Sequence, residues 1–370
     1  MENKIHNYDF LILGAGLIGS LTALYLQKKK FKVLVIDKNK NQQSDNRTLA
    51  VNANSRDFLI DLGIWKQIKN PPQEINKIFI KDYKNLKNLV FENDKESMGS
   101  VVFNREILSS ARSLLLKNNS LKLGKDLPLS MLCSDKNIEI NHKTYSFKKI
   151  ILTIGKTFED NNFLKRTIFS NQHHSFVGFF DHSLNHQNIA YEIFTSSGPL
   201  AVLPAPKKNK KFSTFIYSTK KDLTFKEINS LLKKYFSSSH GNIRLYKKIQ
   251  RFQILPHISK SFNRKFLLLG DTLRSIHPVA GQGWNLGVKD IQHLGYCLDQ
   301  YNIENKEFNN IYFSNRHVEA ISFLGFTSLI NYLYENQNAL SDILIKLGFY
   351  SLNKFSQLKK SFIQKAMGRL

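Results

Sequence analysis

The chain has 370 residues, 42% of them hydrophobic, with 28 Phe and two cysteines. That size and apolar content support a large buried core, and Cys133 and Cys297 alone exclude a disulfide framework or a cysteine-based metal pattern. Fifty-four Lys and Arg against 29 Asp and Glu give a net charge of +25, but the lysines are scattered along the whole chain beside asparagines. No nucleic-acid motif accompanies them, so a nucleic-acid partner is not expected.

Asp9–Leu13 reads as a short buried strand, followed at once by Gly14-Ala15-Gly16-Leu17-Ile18-Gly19. Ser20–Gln27 continues as a helix, and Phe31–Ile36 as a second strand ending at Asp37. This is the βαβ setting that a dinucleotide fingerprint needs, with the acidic residue 18 positions after the last glycine. Gly14 permits the tight turn, Gly16 admits a pyrophosphate and Gly19 lets helix and strand pack closely. Asp37 suits ribose hydroxyls and disfavours a 2′-phosphate. The fingerprint occurs once. Residues 41–56 read as a polar loop entering a helix that ends near Gly63, where an NAD dehydrogenase would continue into a second βαβαβ half.

Short strands follow at Ile78–Ile80 and Leu89–Phe91, then a helix over Asn104–Asn118 and a strand over Ile150–Thr153. From about residue 157 to 260 the chain is strand-rich, with Phe176–Phe180, Ala190–Phe194, Leu200–Leu203 and Phe212–Tyr217, interrupted by a helix over Lys226–Tyr235. These strands imply an antiparallel sheet inserted into the nucleotide-binding fold. Lys207–Lys211 reads as a solvated hairpin tip. His182 and His186 have helical metal-pair spacing but sit between strands without an evident third ligand, so they read as loop residues, and His173-His174 as unremarkable.

The apolar run Phe266–Leu269 leads into Gly270-Asp271-Thr272, then His277-Pro278 and Gly281-Gln282-Gly283-Trp284-Asn285 at a helix entry. Asp271 can accept from sugar-type hydroxyls, Gly281 and Gly283 let backbone N–H groups approach a flat ring, and Pro278 stiffens the approach. His277 reads either as a histidine hydrogen-bonded within a turn or as a group beside that ring. Towards the C-terminus, Leu340, Ile343, Leu344 and Leu347, then Leu358, Phe362 and Ala366, recur at helical spacing, and residues 343–370 carry six basic and no acidic residues. Two readings stay open: a basic amphipathic surface on anionic lipid, or a helix packed on the nucleotide-binding domain. The longest apolar segment, Ala320–Tyr334, is too short and too polar to cross a membrane, and Met1–His6 lacks a signal-like start. A cytoplasmic location is expected, at the inner face of the cell membrane under the first of these readings.

Together these blocks resemble the class A flavoprotein monooxygenases, and within them the ubiquinone-biosynthesis hydroxylases. The resemblance is carried by the fingerprint with Asp37, Arg47-Thr-Leu-Ala with Leu62-Gly63-Ile64-Trp65, Asn104-Arg105-Glu106-Ile107-Leu108, Gly198–Pro204 and the 270–287 block. The tail from Gly325 to Gly368 resembles the end of the ubiquinone branch. The resemblance implies an α/β fold with a Rossmann-like FAD-binding domain of the glutathione-reductase type, para-hydroxybenzoate-hydroxylase-like, from residues 1–74, 98–156 and 262–318. An antiparallel β-sheet substrate domain, 75–97 and 157–261, is inserted, and 319–370 form a C-terminal helical segment. FAD is the implied cofactor. Gly14, Gly16 and Gly19 would hold its pyrophosphate and Asp37 its adenosine ribose, Ala15 would also bind the cofactor, and Arg47 and Arg105 would lie on the flavin side. Asp271 would bind the ribityl chain, Gly270 would also bind the cofactor, and Pro278, Gly281, Gln282, Gly283 and Asn285 would line the isoalloxazine.

The implied reaction is hydroxylation of the aromatic ring of a polyprenylated phenol in ubiquinone biosynthesis, with O₂ used through a flavin hydroperoxide, in a quinone-biosynthesis complex. No metal and no acid–base triad is expected. Neighbouring readings are a hydroxylase of a small soluble aromatic, a prenyl reductase, or a weakly active FAD-binding scaffold. One departure stands out: the family's mid-chain Asp-Gly pair is Ile154-Gly155 here. It leaves NAD(P)H and a ferredoxin-type reductase both open as electron donors.

Overall fold

The computed structural model describes residues 5–40, 47–82, 88–134, 137–140, 142–156, 158–170, 173–207, 210–277, 281–336 and 338–369. Its organising element is a parallel sheet in the order Phe266–Leu268, Lys143–Leu152, Ile5–Leu13, Val33–Asp37, Leu121–Leu123, with Asn137–Ile140 added antiparallel beside Lys143–Leu152. Val33–Asp37 is buried along its whole length, as the unbroken apolar run of a strand covered on both faces requires. Successive side chains alternate between two cores. Phe10, Ile12, Val33 and Val35 face the helices Leu17–Lys28, Asn104–Lys117 and Gln282–Gln300. Leu11, Leu13, Leu34 and Ile36 face Leu132, Phe158 and Leu273 on the other side.

The second large sheet has eight strands and is mixed. Lys77–Asp82 runs parallel to Ile189–Thr195, whereas its other pairings are antiparallel, so the expectation of a purely antiparallel sheet is corrected at this one junction. The cause is connectivity: Lys77–Asp82 and Ile189–Thr195 are joined by a long excursion through the first sheet, and a crossover rather than a hairpin permits parallel pairing. Helix Phe225–His240 covers one face. Thr224 and Glu227 form a capping box at its start, and Ile228, Leu232 and Phe236 at i, i+4 and i+8 pack on Phe180, Phe215 and Tyr217.

A further expectation is altered between residues 41 and 56. Residues 41–46 lie outside the described residues, and Thr48–Asn52 is a strand paired with Gly99–Phe103 before helix Ala53–Asp61 begins. The Asn-rich flanks hide a five-residue strand whose ends are buried. The chain closes with helices Phe308–Glu335, Ala339–Lys354 and Ser356–Ala366. No helix among the described residues is long and apolar enough to cross a membrane. The tail returns to the first domain: Asn54 N donates to Met367 O at 3.1 Å, and Arg369 pairs with Asp57 at 2.7 Å and Glu96 at 3.1 Å.

His182 ends strand His173–His182, and the structure gives it and His186 a third neighbour, His240, at the end of helix Phe225–His240. All three are buried, with ring centroids 4.6 Å apart for His182–His240 and 6.1 Å for His182–His186. No group of three or more His, Cys, Asp or Glu with metal-holding geometry occurs among the described residues. The three rings form an aromatic core with Phe180, Tyr191 and Phe236. Burial lowers the pKa of His182, and takes that of His186 to about 4 and His240 to about 3. A group depressed on folding takes up its proton more readily unfolded, so its stabilisation is complete above the ordinary histidine range and is lost as pH falls through that range towards the folded pKa. Urea midpoints should therefore drop as pH falls from about 6.5 towards 4. His240→Phe should flatten that limb by about 1.4 kcal/mol per pH unit; an unchanged slope refutes the assignment.

Candidate functional site

The first glycine segment separates what the protein needs from what a ligand needs. Gly14 has φ +96°, and a Cβ there would collide with Thr153 O; a Cβ on Gly19 would collide with Gly14 O and Thr153 Oγ1. Thr153 Oγ1 lies 2.9 Å from Leu13 O and 2.8 Å from Gly14 O, bracing the turn from the neighbouring strand. Gly16 differs. It is the N-cap of helix Leu17–Lys28, no side chain caps that helix, and a Cβ on Gly16 would meet nothing within 4 Å. Open space before an uncapped helix N-terminus is a cradle that a side chain would fill, and it fits a pyrophosphate.

Asp37 is buried beneath this turn. Its Oδ2 accepts from Ala15 N at 2.6 Å and its Oδ1 from Asn39 N at 2.8 Å. Arg112 completes the corner, with Nη2 3.4 Å from Asp37 Oδ2 and Nε donating to Ala15 O at 2.8 Å. Sequence reasoning missed Arg112; its signal was a cation bordering the apolar stripe Ile107, Ala111, Leu115 of helix Asn104–Lys117. Arg47 and Arg105 are exposed, their guanidinium groups over Phe252 at 4.9 Å and Phe103 at 5.1 Å.

The second glycine segment meets the first around one side chain. A Cβ on Gly270 or Gly287 would press on Ile18, so that isoleucine, from the helix behind the first turn, fits between two glycines of the second segment. Gly281 is left-handed (φ 62°, ψ 24°) and caps helix Gln282–Gln300 without a side-chain cap, followed by the half-buried Gln282 and the exposed Gly283. Asn285 is buried: it donates to Ala50 O at 3.0 Å and Gly281 O at 3.3 Å and accepts from Asn52 N at 3.1 Å. It therefore fixes the helix entry to strand Thr48–Asn52. Asp271 is exposed at the turn Gly270–Thr272, and its carbonyl accepts from His257 Nε2 at 3.1 Å. Pro278 lies outside the described residues. A shallow hollow open to solvent is lined by Gly270, Arg274, Ile276, Gly283, Leu286 and Gly287.

Asp290 was not anticipated, although an acid within the buried stripe Leu286, Asp290, Leu294 was the available signal. Its Oδ2 accepts from Gly270 N at 3.0 Å, and its Oδ1 meets Arg274 Nη1 at 2.7 Å and Arg316 Nε at 3.0 Å. At the departure from the family pattern, Ile154 packs into the apolar cluster of Leu13 and Leu273, while Gly155 N donates to Thr272 Oγ1 at 2.9 Å. Lys156 Nζ follows, donating to Gln253 O at 2.6 Å. Burial lowers its pKa; Asp271 opposes the shift and Arg47 adds to it. His277 does not make the hydrogen bond within a turn that was one reading of it. It is buried with neither ring nitrogen partnered among the described residues, its ring 4.7 Å from that of His173, and His173 Nε2 lies 2.7 Å from Glu335 Oε1, so His173 is not unremarkable either.

The family described as FAD binding domain matches residues 7–114 and 169–302 of this chain. The chain is similar to the ubiquinone hydroxylase UbiM of Neisseria meningitidis, 23% identical, covering 97% of this chain and 84% of that protein. It is similar also to the ubiquinone hydroxylase UbiL of Rhodospirillum rubrum, 24% identical, covering 98% and 90%. Its fold is similar to that of the p-nitrophenol 4-monooxygenase PnpA of Pseudomonas putida, with a TM-score of 0.75, 14% identity and 98% of each chain covered.

The two kinds of glycine predict two phenotypes. Gly16→Ala should leave urea stability within about 0.5 kcal/mol and weaken FAD binding at least about tenfold, read by fluorescence titration of the apoprotein. Gly19→Ala should instead cost about 1–3 kcal/mol of stability. A Gly16→Ala protein that binds FAD like wild type would mean that the cradle holds nothing.

Proposed function

The chain belongs to the FAD-binding domain family and is an FAD-dependent monooxygenase; on that premise we propose that it hydroxylates the aromatic ring of a polyprenylated phenol in ubiquinone biosynthesis. Bound FAD supplies the electron transfer that activates O₂. The protein's own work is to hold the cofactor's phosphates at Gly16 and the helix behind it, with Asp37 towards the adenosine ribose. Arg47, Arg105, Asp271 and the entry at Gly281–Asn285 stand on the flavin side, and the reaction requires that water be kept from the reacting ring. Electrons come from NAD(P)H or a ferredoxin-type reductase, and the same reading includes association with a quinone-biosynthesis complex. Similarity along nearly the whole chain to ubiquinone hydroxylases supports this substrate class. Ile154 in place of a carboxylate favours a second reading, a weakly active FAD-binding scaffold.

The observation that carries a lipid-tailed substrate is the surface of the C-terminal helices. Leu340, Ile343, Leu344 and Leu347 are all exposed, so this stripe faces outward and not the FAD-binding layer. Helix Phe308–Glu335 adds Val318, Ile321, Leu329 and Tyr332, also exposed. Leu340 and Val318 retain 66% and 67% of their accessible surface. Lys346 and Lys354 lie on helix Ala339–Lys354, and Lys359 and Lys360 on the next helix, Ser356–Ala366, with no acidic residue after Asp342. Apolar side chains beside cations suit an anionic lipid surface, each basic residue near it contributing about 1 kcal/mol. Tyr334 stacks on Phe194 of the eight-stranded sheet at 4.6 Å, which links this surface to the sheet assigned to substrate.

With a farnesylated phenol under ¹⁸O₂, the new ring hydroxyl should carry ¹⁸O; label arriving only from water excludes a monooxygenase reaction on this substrate. Vesicles of phosphatidylglycerol and phosphatidylcholine should carry the protein upward in a flotation gradient, less so at high salt. The double variant Ile343→Glu, Leu347→Glu should stay at the bottom with its fold intact; flotation equal to wild type would reject the lipid surface.

A further inference from the structure

Asn52 is a buried residue that three elements share. Its main-chain N donates to Asn285 Oδ1 at 3.1 Å, its Oδ1 accepts from Ser55 N at 2.9 Å, and its Nδ2 donates to Ala366 O at 3.3 Å. The last contact comes from the end of helix Ser356–Ala366, and the residues after it continue the grip. Met367 O accepts from Asn54 N at 3.1 Å. The Met367 side chain is fully buried in an apolar cluster with Ala53 and Val101, and Val101 is the strand partner of Ala50. Gly368 has φ +73°, and a Cβ there would stand 2.8 Å from Asn52 Nδ2 and 2.9 Å from Asn54 Cβ. Arg369 closes the segment on Asp57 at 2.7 Å and Glu96 at 3.1 Å, and Arg56 meets the same Glu96 at 3.1 Å.

Two helix ends satisfy one another at this point. Helix Ala53–Asp61 begins with N–H groups that have no partner inside it, and helix Ser356–Ala366 finishes with carbonyls in the same condition. Met367 O meets Asn54 N, so the negative end of one helix dipole faces the positive end of the other. The receiving helix is itself tied to helix Gln282–Gln300, because Asn54 and Gln292 exchange amide hydrogen bonds of 2.9 and 3.2 Å. Ala50 O accepts from Asn285 Nδ2 at 3.0 Å, and a Cβ on Gly281 would stand 3.1 Å from Ala50 Cβ. Strand Thr48–Asn52 therefore lies against the Gly281 entry and is held at its Asn52 end by the segment from Ala366 to Arg369.

We propose that Met367–Arg369 is a positioning clamp for the flavin half of the cofactor. It fixes strand Thr48–Asn52, and Arg47 before it, against the Gly281 entry, and the isoalloxazine half of FAD binds tightly only with that strand fixed. The proposal rests on the flavin-side assignment of Arg47 and the Gly281–Asn285 entry made above, and on no choice of substrate. The clamp is not catalytic; it acts through Asn52 and Asn54. The adenosine and pyrophosphate half is assigned to Gly16 and Asp37, which the clamp does not touch, so it governs one half of the cofactor and leaves the other alone.

The test titrates the whole chain, freed of flavin, with FAD by fluorescence and with ADP by calorimetry. ADP carries the same adenosine and pyrophosphate and no flavin ring. Asn285→Ala probes the wall itself and should weaken FAD about tenfold, with ADP affinity within about twofold of wild type. Gly368→Ala and Arg369→Glu should each reproduce that pattern from the other end of the strand, whereas Arg369→Lys, which keeps a cation for Asp57 and Glu96, should retain most of the FAD affinity. Gly368→Ala combined with Asn285→Ala should weaken FAD by less than the product of the separate effects, because both act through strand Thr48–Asn52. A merely structural tail moves FAD affinity, ADP affinity and the urea midpoint together, and that result overturns the proposal. So does wild-type FAD affinity in Gly368→Ala and Arg369→Glu while Asn285→Ala is weakened. If Asn285→Ala binds FAD like wild type, the flavin-side assignment beneath the clamp falls, and that variant alone tells this failure from failure of the clamp.

Discussion

Asp290 is a fully buried carboxylate that holds Gly270 N, Arg274 and Arg316 together. Through those three contacts the end of the edge strand Phe266–Leu268, the turn into the second glycine segment and the long helix Phe308–Glu335 become one rigid unit. Two arginines facing one buried carboxylate are tolerable only while it is present. Removing one partner from such an assembly typically costs about 3–5 kcal/mol, against a total stability of about 5–15 kcal/mol for a domain. Five residues earlier on the same helix, Asn285 holds Ala50 O and Asn52 N, and Asn52 caps helix Ala53–Asp61 through Ser55 N. One helix therefore sets the position of strand Thr48–Asn52, the turn at Gly270 and the C-terminal helices at once.

What that unit positions is mostly backbone. Both helix entries, at Gly16 and Gly281, lack a side-chain cap, and no Cβ stands over Gly16 or Gly283. Uncapped N–H groups are favourable only if something accepts from them, and an anionic or carbonyl-bearing ligand does so while gaining from the helix dipole. The side chains around the cradle are already committed. Asp37 braces Ala15, Asn285 braces strand Thr48–Asn52, and Ile18 lies against both Gly270 and Gly287. These residues shape the site by holding its walls, and the glycines leave the room between them.

The parts legible in the sequence were those whose cause is local. The fingerprint from Gly14 to Asp37 needs only a strand, a turn and a helix in succession, and the alternation of Phe10 to Leu13 and Val33 to Ile36 between two cores follows from strand periodicity. Strand Thr48–Asn52 was hidden because its pairing with Gly99–Phe103 is tertiary. Arg112 reaches Asp37 across 75 residues, and His173 reaches Glu335 across 162. No local pattern encodes such pairs. His240 joined His182 and His186 for the same reason, through a helix end that folds back over the sheet. The outward direction of Leu340 to Leu347 was likewise undecidable from spacing, since a helical stripe states which residues share a face and not what that face meets.

The mid-chain departure can now be weighed against the scaffold. Thr153 still braces the first glycine turn through Leu13 O and Gly14 O, and Gly155 N still reaches Thr272 beside Asp271. The backbone of this strand end therefore joins the two glycine segments without any carboxylate at position 154. Ile154 adds apolar packing against the core of Leu13 and Leu273, and Lys156 brings a cation near Asp271 and Arg47. Loss of the acidic residue thus changes the charge at this edge of the site and leaves its frame intact.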